Sequence, residues 1–405
     1  MRIPLFSLLV LLSIPFVFSG MVDDKNITST EEGRVGRERR TGLISYIAPT
    51  VREKRTDFFG FVDAVSGSDV VKDFTTNISQ APSFQSLNFA LTCLQNFEDK
   101  NSLVKVNLFL IPFDGCYNAS ISFTKPVAFS IKSNSSRSAS PPSFPDVNIV
   151  PTNISEGVLA AFNSEIELDL LCISNSSKSA ICCSQDTVLN ITRSVFLKNR
   201  LSNGANTNPF SQNTMGGAVW FNGGSLNITN CTFTENESLN GGSITLISAA
   251  NTLIQKNTFF KNSATNQGGA IYGIYLFVTK IESNTFSEND ALEGGVIYFT
   301  IVGEKSAPVV ILNNLFSNNS AISIGGATFF SFSYLLFSNN KFQNNFAALQ
   351  GGAIYSSSTS FNASNSQFSM NGIGTKSAFT SCKSTSSSSS TKKISLYSHF
   401  KKNGK

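Results

Sequence analysis

The sequence predicts an all-β protein built as a β-solenoid, a stack of short strands in repeated coils. Three observations lead there. A glycine pair recurs six times at nearly constant spacing, and a Phe-x-x-Asn motif recurs seven times in phase with it. The segments between are short and carry β-formers such as Ile228, Val278, Ile281, Val310 and Ile311, with no sustained helical period.

The glycine pairs are Gly216-Gly217, Gly241-Gly242, Gly268-Gly269, Gly294-Gly295, Gly325-Gly326 and Gly351-Gly352, spaced by 25, 27, 26, 31 and 26 residues. The second motif comprises Phe196 with Asn199, Phe233 with Asn236, Phe259 with Asn262, Phe286 with Asn289, Phe316 with Asn319, Phe342 with Asn345 and Phe368 with Asn371. From Phe233 onward each Phe precedes the next glycine pair by eight or nine residues. A unit of this length is one coil of about three strands, stacked on the next at about 4.8 Å, so that like residues sit over like. The Phe column then forms an internal ring stack that buries apolar area. The Asn column can bond coils above and below, and Asn tolerates left-handed turns. A further column two residues before each Phe reads Cys231, Asn257, Asn284, Asn314, Asn340 and Ser366, which makes Cys231 a small core filler. The glycine pair fits a turn with positive φ or a close backbone approach. All these columns are expected to be scaffold rather than ligand contacts. The unit implies about 11–12 coils.

The remainder follows in order. Residues 1–19 read as a secretory signal peptide, with Met1-Arg2 ahead of an apolar run from Ile3 to Phe18. Residues 20–57 are a polar basic linker or pro-segment, with paired basic residues ending at Arg40 and Arg55 as candidate processing sites. The solenoid is expected over 58–371, with clear repeats over 190–371. Leu87, Ala90, Leu91 and Leu94 share one helical face, so a short helix there could cap the open end of the stack. Val104, Val106, Leu108 and Leu110 alternate as a strand. Further strands are expected over 127–131, 147–150, 166–173 and 188–196. Asn199 to Met215 is the longest interruption and a candidate surface loop. Residues 372–405, with serine from Ser386 to Ser390, read as a flexible tail.

Composition narrows function. Charged residues are only 14% of the chain against 41% hydrophobic, and net charge is +5 with the basic excess near the ends. Nucleic-acid binding is therefore not expected. The single histidine, His399, lies in the tail, which removes Ser-His-Asp triads, Cys-His pairs and multi-histidine zinc sites. Cys382 shares that tail. No catalytic, cofactor or metal residues are assigned, and no later stretch is long and apolar enough to span a bilayer. The seven cysteines fit an oxidising compartment and match no common zinc spacing. Cys93 and Cys116 could pair.

The Gly-Gly-Ala-Ile and Phe-x-x-Asn pairing resembles the repeats of chlamydial polymorphic outer-membrane proteins over roughly residues 190–371. Phe61-Val62-Asp63, Gly67-Ser68-Asp69, Pro82 to Leu87 and Ala90-Leu91 resemble the first turns of pectin-lyase-like β-helices. Together these resemblances imply one single-stranded right-handed parallel β-helix from about residue 58 to 371. The first implies an exported, non-enzymatic surface adhesin or binding scaffold, whose partner would be a host-cell or matrix glycan or protein. Residues 372–405, lysine-rich rather than strand-like, are not expected to form the C-terminal outer-membrane barrel of that family.

The second resemblance makes a polysaccharide lyase or glycoside hydrolase the rival reading. Such chemistry needs paired carboxylates or acidic calcium ligands. Glu235 and Glu288 occupy equivalent positions inside Phe-x-x-Asn, two coils apart, and read as solvated turns. Glu165, Glu167 and Asp169 alternate along one strand and share a face that could hold a cation or a sugar. Asn-x-Ser/Thr sequons occur at the frequency composition alone gives; Asn118, Asn134 and Asn175 lie on expected loops, whereas Asn236 belongs to a ladder and should be buried.

Overall fold

The computed structural model describes residues 56–67, 83–96, 104–112, 116–123, 125–134, 147–152, 157–201 and 215–374. The expected signal peptide, basic linker, processing sites, most of the Asn199–Met215 interruption, His399, Cys382 and the serine tail lie outside these residues.

The described residues form a parallel β-helix with every strand pair parallel. Sheet A has twelve strands, running in stacking order from Ser83–Phe84 and Thr56–Val62 to Ser360–Ser364. Sheet B has ten strands, sheet C nine and sheet D six. The Ser83–Phe84 strand lies outside Thr56–Val62; the twelve strands of sheet A less this one leave eleven coils, within the expected range. From Glu237 onward each coil runs A, B, D, C, giving four strands where three were expected. Two of the extra strands, Glu237–Asn240 and Ser263–Gln267, are polar and lack β-branched residues apart from Thr265. Pairing with the neighbouring coil holds them, not propensity.

The N-terminal helix, α1 (Leu87–Asn96), buries Leu87, Ala90, Leu91 and Leu94, the face expected from the sequence. It packs against the strands Thr56–Val62, Ser83–Phe84, Cys116–Asn118 and Ile121–Ser122. Two expected strands are each divided by a corner. The 166–173 segment forms Glu165–Asp169 and Cys172–Ser174, and the 188–196 segment forms Val188–Thr192 and Val195–Leu197. Leu170 and Arg193 make those corners with φ of 57° and 47°.

The Phe column is the centre of the core. Phe196, Phe233, Phe259, Phe286, Phe316 and Phe342 are completely buried, and successive rings from Phe196 to Phe368 stack at 4.5–5.0 Å. Their planes lie within 16° of parallel. Ring stacking at the coil spacing adds to the area each ring removes from water.

Beside the rings run two Asn ladders. Asn262 shows the unit. Its Nδ2 donates to Phe233 O at 2.9 Å and to Asn289 Oδ1 at 3.0 Å, and its own Oδ1 accepts from the Asn236 backbone N at 3.1 Å and Nδ2 at 3.0 Å. All the bonding capacity of a buried amide is thus used. The pattern runs from Asn199 to Asn371. Asn345, completely buried, repeats it near the far end: its Nδ2 donates to Phe316 O at 3.0 Å and to Asn371 Oδ1 at 2.9 Å, and its Oδ1 accepts from Asn319 N at 3.1 Å. Asn371 closes the ladder half-buried, with its Nδ2 donating to Phe342 O at 3.1 Å. The second ladder links Asn257, Asn284, Asn314 and Asn340 and ends on Ser366. Asn236 is completely buried, as expected.

Cys231 begins the second ladder as a buried thiol. Its backbone N donates to Asn257 Oδ1 at 2.7 Å, and its Sγ accepts from Ser194 N at 3.5 Å. Burial pushes this thiol up to about 12, so it is inert as a nucleophile. Cys116 is exposed and carries a free thiol, so the Cys93–Cys116 pairing is not formed. Cys116 instead sits level with Asn148 on sheet B, and Asn148 Nδ2 donates to its sulfur at 3.2 Å.

The glycine pair closes the corner between sheets D and C. The first glycine of each pair has φ between 61° and 70°. The second is tight against backbone: a Cβ on Gly269 would fall well inside contact distance of the Gly295 and Asp290 carbonyl oxygens. One glycine is needed for conformation and the other for space.

Two outcomes follow. Phe286→Ala removes a ring from the middle of the stack and should lower unfolding free energy by about 3–5 kcal/mol in urea titration; an unchanged midpoint would contradict the stack's role. Cys231→Asn supplies an amide where Cys231 Sγ lies 3.6 Å from Ile191 O, matching the Asn257 Nδ2 bond to Ile228 O. It should raise stability by about 1 kcal/mol in the same titration, whereas a loss would show that the ladder does not extend to this coil.

Candidate functional site

The repeat residues of the sequence analysis are scaffold in their packing. The Phe and Asn columns point inward, and the glycine pairs are pressed between coils. A working site must therefore be sought on the outer faces and corners.

The acidic candidates come first. Glu235 and Glu288 lie at equivalent corners, the first half-buried and the second exposed, each with a left-handed backbone, φ 54° and 56°. They do not face one another. Phe233, Phe259 and Phe286 stack in register, so Lys261, two residues after Phe259, stands on the coil between them. Its Nζ lies 3.8 Å from Glu288, while Lys198 and Arg200 lie 4.0 and 3.9 Å from Glu235. The column Lys198, Glu235, Lys261, Glu288 alternates in sign, an arrangement of solvated ion pairs of small energetic weight.

Glu165, Glu167 and Asp169 do share the outer face of sheet A, as expected. Cations of the protein itself occupy that face. Lys105 Nζ lies 2.7 Å from Glu167 and Lys132 Nζ lies 3.5 Å away, on the two preceding coils. Burial works against the Glu167 charge, but the two ammonium groups outweigh it and hold the carboxyl below its ordinary value. Asp169 accepts from Arg193 Nε at 2.9 Å and from Thr192 Oγ1 at 2.7 Å. Among the described residues no group of three or more His, Cys, Asp or Glu side chains is placed to hold a metal ion. This face is an ion-paired surface in which two of the three carboxylates are already bonded to protein cations.

Two outer features were not picked out from the sequence. On sheet C, Tyr272, Tyr298, Phe329 and Tyr355 occupy one position of four successive coils and stack at 5.6, 4.4 and 5.2 Å. The signal lies in the repeat, as the residue three after the second glycine of each pair. Tyr272 and Phe329 are buried, and Tyr272 joins Met215, Trp220 and Ile274 in a small core of its own. Burial raises the Tyr272 and Tyr298 phenols well above their ordinary value. This ladder braces the outer side of sheet C.

The second feature is exposed. Where sheet C turns into sheet A, the corner residue is left-handed in the eight coils from Asn163 onward: Asn163, Gln185, Gly223, Ser248, Tyr275, Ile301, Phe332 and Ser358. Five of these are residue types that suit such turns or lie easily in water. Three consecutive ones are large and apolar, with φ of 56°, 53° and 48° for Tyr275, Ile301 and Phe332. They are 36%, 36% and 58% exposed. A β-branched or bulky residue at positive φ is strained, and only part of each side chain is buried to offset that strain. Phe277 and Tyr334 stand beside them, also exposed. Gly303 lies between these two, bonded to the Phe277 coil through Leu276 O, and Tyr334 N donates to Val302 O. After Gly303 the chain makes a short excursion closed by reciprocal Glu304–Ala307 backbone bonds. That excursion accounts for the 31-residue spacing in the repeat.

The Glu167 cluster has a pH consequence. A carboxyl lowered in the folded state contributes stability that is full above its ordinary value of 4.5 and is lost as pH falls through the lowered value. Wild type should therefore exceed Glu167→Gln in stability at pH 7, and the gap should shrink on acidification below pH 4.5. Melting temperatures of the two proteins across that range check it; a gap independent of pH would show that the ion pairs contribute nothing.

With this geometry in view, comparison with known proteins gives the following. No curated protein matches the chain. A solved structure similar to it is the A-module of the Azotobacter vinelandii mannuronan C-5 epimerase AlgE6, at 12% identity over 66% of this chain and 90% of that one, with a TM-score of 0.22. That likeness is too slight to carry an argument about activity. The family model described as right handed beta helix region matches residues 148–333 and 217–392, which together span more than half of the 405 residues. The parallel stacking, the one-strand-per-coil sheets and this match agree, and the chain belongs to the right-handed β-helix family.

Proposed function

We propose that this protein acts by binding, as an exported surface or secreted β-helix scaffold of the adhesin type. The observation that carries the reading is how its carboxylates are used. Glu167, Asp169, Glu235, Glu282 and Glu288 each lie within ion-pair distance of a lysine or arginine. Glu235 and Glu288 stand two coils apart with Lys261 between them, rather than converging as acid and base must in a glycosidase or lyase. The N-terminal leader-like segment supports export. The long repetitive surface supports many weak contacts acting together, and avidity would supply affinity. The partner class is a glycan or protein of a cell surface or matrix.

The test pairs binding with turnover. Purified protein is applied to glycan arrays and to matrix proteins, and in parallel is incubated with neutral and acidic polysaccharides while chain length is followed. Saturable binding with intact polysaccharide is the expected result. Depolymerisation that is lost on Glu235→Gln or Glu288→Gln would overturn the reading in favour of a lyase or glycoside hydrolase.

A further inference from the structure

We propose that the corner of Tyr275, Phe277, Phe332 and Tyr334 is a docking site for an extended, neutral, β-linked glycan. This rests on the binding-scaffold reading and names the class of ligand and its place.

The four rings form two pairs. Tyr275 and Phe332 lie on one column with Ile301 between them. Phe277 and Tyr334 stand beside them on the first and third of these coils, with Gly303 on the coil between; in the register of sheet A, Tyr334 is level with Val278 and Pro308. The members of each pair are therefore two coils apart, about 10 Å along the solenoid axis. The interior rings touch because they step by a single coil, 4.8 Å. The outer rings cannot stack on each other at twice that distance. They leave room for something else to lie across them.

Two coils come close to the two-sugar repeat of an extended β-linked glycan. In such a chain alternate sugars present the same face, so rings at this spacing can each meet the C–H face of a sugar in the same orientation. Ile301 underlies the sugar between, and Gly303 on the same coil presents no side chain of its own. Asn251, level with Val278, and Ser360, level with Tyr334, lie on coils to either side, and Ser248 and Ser358 continue the corner column. Hydroxyls and amides therefore border the rings. The Glu304–Ala307 excursion stands beside them.

Charge and area decide the kind of occupant. The stripe itself has no charged side chain, and the nearby Lys280 is held by Glu282 at 2.6 Å. The excursion carries Glu304 and Lys305, of opposite sign. An anionic polymer therefore finds no net positive surface there. The six exposed apolar residues, Val278 included, are each 36–58% exposed. That amounts to a few hundred Å², below the ~800 Å² per partner that a stable protein interface needs. A glycan is satisfied by a few rings. The strain is the further indication. The same corner takes Ser at 248 and 358, so three strained apolar residues in a row are not required by the fold.

That last point supplies the test. The double variant Tyr275→Ser, Phe332→Ser places at both positions the residue that neighbouring coils already use, so its unfolding midpoint should match or exceed wild type. Calorimetric titration with cellohexaose and with chitohexaose should show binding by wild type, about tenfold weaker in the variant. Polygalacturonate, phosphatidylcholine vesicles and self-association in size-exclusion chromatography are run alongside. The proposal falls if neither hexasaccharide binds, or if both proteins bind equally. It also falls if the variant loses only vesicle binding or self-association, which would assign the stripe to a lipid surface or a second copy. Binding to other glycans or matrix proteins that is unaffected in the variant would remove this site but leave the scaffold reading intact; turnover of a polysaccharide would remove that reading instead.

Discussion

Everything in this molecule depends on coils meeting in register. A strand in a β-helix has no partner within its own coil, so each backbone N–H and C=O must find its mate one coil away. A slip of one residue would turn every inward side chain outward. The two Asn ladders prevent the slip at the corners, where strand pairing is interrupted. Each buried amide bonds the coil behind through a backbone carbonyl and the coil ahead through its neighbour's Oδ1. Such an amide is costly unless completely satisfied, so the ladder is stable only in one register. The Phe stack then fills the space between and supplies the apolar burial.

The same constraint shapes the surface. Corners must turn through left-handed residues, and most coils meet this with Asn, Ser, Lys or Gly. Charged side chains that fall outside are spent locally, Glu167 with two lysines and Asp169 with Arg193. What remains available for recognition is a small set of departures from the repeat. The corner around Ile301 is one: it combines strained backbone, exposed rings and an insertion in the coil between them. A regular scaffold makes such an irregularity conspicuous, because neighbouring coils show what the fold alone would have placed there.

Much of the scaffold was legible in the sequence because a repeat turns a three-dimensional contact into a column of letters. The spacing of Phe233, Phe259 and Phe286 already states that they stack, and the burial of Leu87, Ala90, Leu91 and Leu94 follows from helical period alone. Cys231 was recognisable as a ladder member by position. The fourth strand was not, since Ser263–Gln267 has Thr265 as its one β-former and is held by its neighbours. The Cys93–Cys116 pairing failed because closeness in sequence says little about closeness across a coil. The partners of Glu167 were hidden for the same reason: Lys105 and Lys132 lie on different coils. Tyr275 and Phe277 were not picked out, because propensity favours aromatic residues in strands and gives no signal for a left-handed corner.

The central claim is that the Asn ladders hold the coils in register. Native-state hydrogen exchange, followed peptide by peptide through the intact chain, tests it most directly. The backbone amides of Asn236, Asn262, Asn289 and Asn319, each donated to the next ladder oxygen, should be among the slowest to exchange and should open together with the Phe stack. Exchange at those amides as fast as in an unstructured chain, while the sheet strands stay protected, would contradict the claim.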